Sequence, residues 1–181
     1  MRIRPGETVE SVNQPNSVVG ANPGRVIYVS ALDTASRPDL SLRSIVSLSD
    51  GRIRDFSGTE IPVVSENEFR TGRLNLLFVS LKESLTSTLR VYSFEPLTIT
   101  ARFFELGRAS SPELAVRQLR LTTGSRYVPA YGELTDFPHI SQTLTGLVRV
   151  ELTADKTDAP FWAFVTSWAN DTQSLSIVSS Q

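Results

Sequence analysis

The sequence predicts an all-β fold: an antiparallel β-sandwich with Greek-key connections of the immunoglobulin or fibronectin kind, about nine strands and little helix. Three observations carry that expectation. Beyond residue 24, apolar and polar residues alternate at period two in one run after another, the pattern of half-buried strands. Gly, Pro, Asn, Asp and Ser punctuate those runs at short intervals. No segment keeps apolar residues at helical spacing for three turns. A closed barrel is the alternative arrangement of the same strands.

Residues 1–24 are rich in Pro, Gly, Asn and Ser and show no sustained periodicity, so they read as an arm or linker ahead of a sandwich domain at 25–181. The first strands are expected at 25–32 and 40–48. The next are at 74–81 and 88–94, the second rich in β-branched and aromatic residues. Glu95-Pro96 supplies a break, and a hairpin partner is expected at 97–105. There Leu97, Ile99, Ala101 and Phe103 share one face, while Thr98, Thr100 and Arg102 share the other. Residues 115–122 form a further strand. At 147–152, Val148, Val150 and Leu152 point inward and Arg149 and Glu151 outward. Strands at 161–168 and 174–178 complete the set. Helical turns are expected only at 111–113 and within 134–140. Residues 26–34 share an aromatic-centred texture with 162–172, which suggests two related halves, 25–85 and 86–181.

Composition narrows the function. With 18 Lys+Arg against 19 Asp+Glu, the formal charge is −1, which supplies no concentrated positive field for a nucleic-acid backbone. No window approaches the ~20 consecutive apolar residues of a membrane span. One His, no Cys and one Met leave little for metal or redox chemistry, and no cofactor is expected. The basic residues are sixteen Arg and two Lys, a bias that suits ordered carboxylate pairs and aromatic stacking.

Candidate chemistry is sparse. His139 is the single imidazole, and a triad would need a nucleophile and an orienting acid around it; no Gly-x-Ser-x-Gly elbow is present. The pairs Glu66/Glu68 and Asp155/Asp158 could in principle serve a glycosidase, although Glu66 and Glu68 read more simply as a solvated strand edge attracting Arg70 or Arg73. The loop at 155–158 and the turn at 170–171 offer oxygens for Ca²⁺ without the density of a dedicated calcium loop. The aromatics make the better case for binding. Trp162, Phe164 and Trp168 alternate with Phe161, Ala163 and Val165, so this strand is apolar on both faces and should be central and covered. A sharper alternative is a sugar-stacking platform of Trp168 with Tyr127 or Tyr131. Arg70, Arg73 and Arg102 fall on or beside wet faces and are the basic positions expected at an interface.

The run Ser65-Glu66-Asn67-Glu68-Phe69-Arg70-Thr71-Gly72-Arg73-Leu74-Asn75-Leu76-Leu77, continued by Ser87-Thr88-Leu89-Arg90-Val91-Tyr92, is followed much later by Phe161-Trp162-Ala163-Phe164-Val165-Thr166-Ser167 and Asn170-Asp171-Thr172-Gln173. In order and spacing these segments resemble a family of β-sandwich modules of largely unknown function found in large exported bacterial proteins. The resemblance spans roughly residues 51–181. It implies an extracellular or cell-surface setting, with the targeting segment outside this chain, and it offers no catalytic residue. The chain departs from that pattern in its size, which leaves either a cut fragment of a longer protein or a self-assembling subunit. The expected role is that of a non-catalytic structural, assembly or adhesive module, self-associating through its N-terminal arm and sheet edges, with protein as partner. A carbohydrate-binding module taking polysaccharide and a virion or phage decoration protein are the alternatives.

Overall fold

The computed structural model describes residues 42–44, 59–106, 111–122, 129–139, 143, 145–169 and 175–180. The strand expected at 25–32 and the arm at 1–24 lie outside these residues. The described chain forms β1 (Leu42–Ser44), β2 (Thr59–Ile61), β3 (Arg73–Ser80), β4 (Leu85–Ser93), β5 (Thr98–Glu105), β6 (Glu113–Arg120), β7 (Ala130–Leu134), β8 (Leu147–Ala154), β9 (Phe161–Ala169) and β10 (Leu175–Ser179). Its one helical piece is a 3₁₀ turn at Glu66–Glu68.

Eight strands make two four-stranded antiparallel sheets, ordered β10-β9-β4-β7 and β3-β8-β5-β6, and β1 pairs with β2 separately. The sheets share one core. Phe103, Ile99, Ala101, Val148, Val150, Leu152, Leu74, Leu76 and Val79 reach it from one sheet, and Leu89, Val91, Phe161, Ala163 and Val165 from the other. Every inward residue expected on β5 and β8 is buried, because strict period-two alternation leaves one face for the core. The outward residues of those strands form a wet face. There Arg73 and Arg149 both reach Glu151, at 3.3 and 2.9 Å, and Arg102 pairs with Glu113 at 2.9 Å.

The strand pairs nest. β5 pairs with β6, β4 with β7 and β3 with β8, all antiparallel, so a long two-stranded ribbon is folded over on itself. β9 joins β4 on one side and β10 on the other. Beyond β10 the same edge of β9 is taken up by Arg70, whose N–H donates to the Phe161 carbonyl at 3.0 Å and whose carbonyl accepts from the Phe161 N–H at 2.9 Å. A matching bridge between Thr122 and Tyr131 ties the end of β6 to β7. The two sheets are thus stitched at opposite corners.

Several expectations change. Residues 88–94 and 97–105 are not a hairpin, since β4 and β5 lie in different sheets. Ser93 and Leu97 both face the core, and Glu95-Pro96 arches between the layers. Pro96 has no N–H to give to a ladder, and the Ser93 hydroxyl donates to the Pro160 carbonyl at 2.8 Å, which pins the arch. Alternation cannot tell a hairpin from such an arch, because both keep the same face inward. The turn expected at 111–113 runs straight into β6, and 135–139 is irregular. Glu66 and Glu68 belong to a 3₁₀ turn and not to a strand; the Glu68 carboxylate accepts from the Ser65 N–H at 2.6 Å. β2 and β7 escaped the sequence reading, one for its three-residue length and the other for Gly132 at its centre. β3, before the expected boundary at residue 85, pairs with β8 beyond it, and most of the first expected half lies outside the described residues.

Candidate functional site

β9 is an interior strand, hydrogen-bonded along both edges. Phe161, Ala163 and Val165 enter the core. Trp162, Phe164, Thr166 and Trp168 therefore lie on the outer face of the sheet, in register with outward residues of β4 and β7. Across the sheet, Trp162 stands opposite Tyr92, and Tyr92 opposite Tyr131.

These side chains form one aromatic patch. Tyr92 lies 5.0 Å from Tyr131, 6.2 Å from Trp162 and 6.1 Å from Phe164, in the last case with nearly parallel rings; Trp162 and Phe164 are 5.1 Å apart. Such pairs add about 0.5–1.5 kcal/mol each beyond their area burial. A polar border runs along one side. The Arg90 guanidinium sits 6.0 Å above the Phe164 ring, pairs with Glu133 at 3.0 Å and donates to the Thr166 hydroxyl.

Trp162 and Phe164 retain only 8% of their exposure, so their faces are not open to a ligand. Burial first, with the Glu133 charge added, pushes the Tyr92 hydroxyl up to about 12 despite the opposing pull of Arg90. The Tyr131 hydroxyl is buried and lacks a hydrogen bond of good geometry. Its ionisation is driven well above the ordinary phenol range, by burial first and then by the neighbouring Glu133 carboxylate and Tyr92. Neither phenol is suited to act as a base near neutral pH.

Trp168 and Tyr131 do not come together as the predicted sugar platform. Trp168 shares the outer face with Trp162 but lies six residues along β9, about 20 Å away at ~3.3 Å per residue, whereas Tyr131 aligns with Trp162 through Tyr92. Tyr127 lies outside the described residues. The three arginines also part company. Arg70 serves through its backbone at the sheet corner, while Arg73 and Arg102 are held in ion pairs on the opposite outer face. Sequence reasoning missed Tyr92, Arg90 and Glu133. Period two marks them as outward, but only the register shows that they meet Trp162, Phe164 and Tyr131.

His139 is exposed on the rim of an open cleft of about 270 Å³ between the β3–β4 turn and the chain after β7. Among the described residues no group of His, Asp and Glu could hold a metal ion. Asp155 is occupied otherwise. Its carboxylate accepts from the Thr98 N–H at 3.1 Å, the chief reason that it ionises below the usual range, and Lys156 beside it pairs with Glu95 at 2.6 Å. The turn at 170–171 lies outside the described residues.

No known protein family, curated protein or solved structure matches the chain.

Proposed function

We propose that this protein is a non-catalytic structural module, a self-associating subunit that works outside the cell or on the surface of a cell or virion. The single observation that carries the reading is the nested strand order. Pairs β5–β6, β4–β7 and β3–β8, with β9 beside β4, follow the jelly-roll form of the Greek key, in which β10 takes the place of the strand that would precede β3. The immunoglobulin order, in which the first, second, fifth and fourth strands share a sheet, is different. Jelly rolls recur as shell-building and glycan-recognising domains.

Two further features support a scaffold over a catalyst. The aromatic residues most suited to binding are committed to packing on the outer face of β9 and β4. The charged residues of the opposite face neutralise one another in pairs and converge on no enclosed site. The nested order favours the virion or phage decoration reading within this class, and the resemblance to exported sandwich modules favours a cell surface. Both make protein the partner. Light scattering on the purified chain, with and without residues 1–24, tests the proposal. Concentration-dependent assembly that weakens without the arm is the expected result; a monomer at every concentration, with or without it, would refute self-association.

A further inference from the structure

The cleft beside His139 belongs to neither the core nor the aromatic patch. We propose that it is a binding site for a single hexose unit of a glycan. Two connections at one end of the sandwich build it. The β3–β4 turn, closed by the Leu85 N–H donating to the Lys82 carbonyl at 2.9 Å, presents Lys82 and Glu83. The chain after β7 presents Thr135 and His139, and its position is fixed by Phe137, which packs edge-to-face on the core ring of Phe103 at 5.3 Å.

The composition of the lining selects the ligand. Lys82 offers only donors, Glu83 only acceptors, and the His139 imidazole and Thr135 hydroxyl can do both. A small anion would face Glu83 and a small cation would face Lys82. A ring of vicinal hydroxyls, each both donor and acceptor, satisfies all four groups. The partly exposed Leu85 and Phe137 add a small apolar surface to this polar lining. Of the other hydroxyls that line the cleft, that of Ser87 is already bonded to the Ser167 hydroxyl at 2.8 Å. The open cleft has a volume of about 270 Å³, just below the ~300–1,000 Å³ of drug-sized pockets. The residues are carried on connections held by a rigid sandwich, the usual placement of recognition groups.

Because His139 is the only histidine, its ring protons give a single reporter signal in a proton NMR spectrum of the full chain. Methyl glycosides of glucose, galactose, mannose and N-acetylglucosamine are titrated separately, with sodium acetate and ammonium chloride as ionic controls. The expected result is a saturable displacement of the His139 signal by at least one glycoside and none by the salts. Lys82→Ala and Glu83→Gln, both at exposed positions, should each weaken that titration about tenfold or more, the size expected for loss of a charge-assisted hydrogen bond. Saturation-transfer measurements on His139→Ala should show a comparable loss. A signal that no glycoside moves, one that acetate or ammonium moves equally, or a displacement that survives both substitutions would overturn the assignment. The titration is read at a protein concentration at which light scattering shows monomer, so its failure is distinguishable from a failure of the self-association proposal.

Discussion

Gly132 gives the sharpest handle on how the two sheets close. It lies on β7 opposite Val91, on the inner face, where its missing side chain makes room for β6 crossing from the other sheet. A Cβ at this position would stand 3.0 Å from Leu119 Cγ, 3.1 Å from Leu119 Cδ1 and 3.2 Å from the Arg120 carbonyl oxygen. Two effects oppose each other in Gly132→Ala. Restricting the unfolded chain stabilises by about 0.4–1 kcal/mol, and overpacking a filled corner costs about 1–3 kcal/mol. The Leu119 side chain makes the two closest contacts and is itself packed in the core, so the clash should prevail, with a net loss of about 1–2 kcal/mol. For a chain of this length that lowers the melting temperature by roughly 2–8 °C. Urea unfolding should show a lower midpoint at an unchanged slope. Leu119→Ala on its own leaves a cavity costing about 2–5 kcal/mol. In that background Gly132→Ala should be nearly neutral, a coupling of about 1–2 kcal/mol in the double-mutant cycle. If Gly132→Ala stabilises the otherwise unaltered protein, β6 does not pass tightly against β7 at this corner.

Other outcomes follow from the same geometry. Trp162→Ala should cost about 3–5 kcal/mol of stability in urea unfolding, as for a large ring lost from a buried cluster, and Trp168→Ala, at the partly exposed end of β9, should cost clearly less; equal costs would contradict the burial of the aromatic patch. Arg73→Ala and Arg102→Ala should each change stability by less than about 1 kcal/mol, because both arginines are largely exposed and Glu151 keeps its closer pair with Arg149. The folded protein holds the Tyr92 proton more tightly than the unfolded chain does, since the folded value of about 12 exceeds the ordinary value of 10. The stability this provides is complete below pH 10 and is lost as pH rises through about 12. Urea midpoints at mildly and strongly alkaline pH should therefore fall less in Tyr92→Phe than in the unaltered protein.

Much of the fold was legible in the sequence because period-two patterning reports burial directly. Leu97 through Phe103 and Val148 through Leu152 each declared one face for the core, and the structure buries those faces. What alternation does not encode is which strand lies beside which. The arch at Glu95-Pro96 therefore looked like a hairpin turn, and the nested order of β3 to β8 emerged only from the register. β3 shows a further limit. A bulge between Leu76 and Val79 shifts the alternation by one residue and leaves Phe78 outward, 65% exposed, with φ of +60°. A phenylalanine in that backbone region departs from local preference, and nothing in the flanking residues announces it.

The candidate site was legible only in part, and for a related reason. Trp162 and Phe164 stood out as the second apolar face of a central strand, and the structure places them there. Tyr131 was paired with Trp168 because both are aromatic. A strand's length puts about 20 Å between them, and only cross-strand register could reveal that Tyr92 is the true intermediary. The cleft at His139 draws on residues more than fifty positions apart in the chain, a juxtaposition that no local pattern carries.

Electron microscopy of the full chain, negatively stained over a range of protein concentrations, bears most directly on the central claim. A self-associating scaffold predicts regular particles, sheets or filaments whose abundance rises with concentration and in which the subunit recurs in one orientation. Uniform monomers of about 20 kDa at every concentration would contradict it.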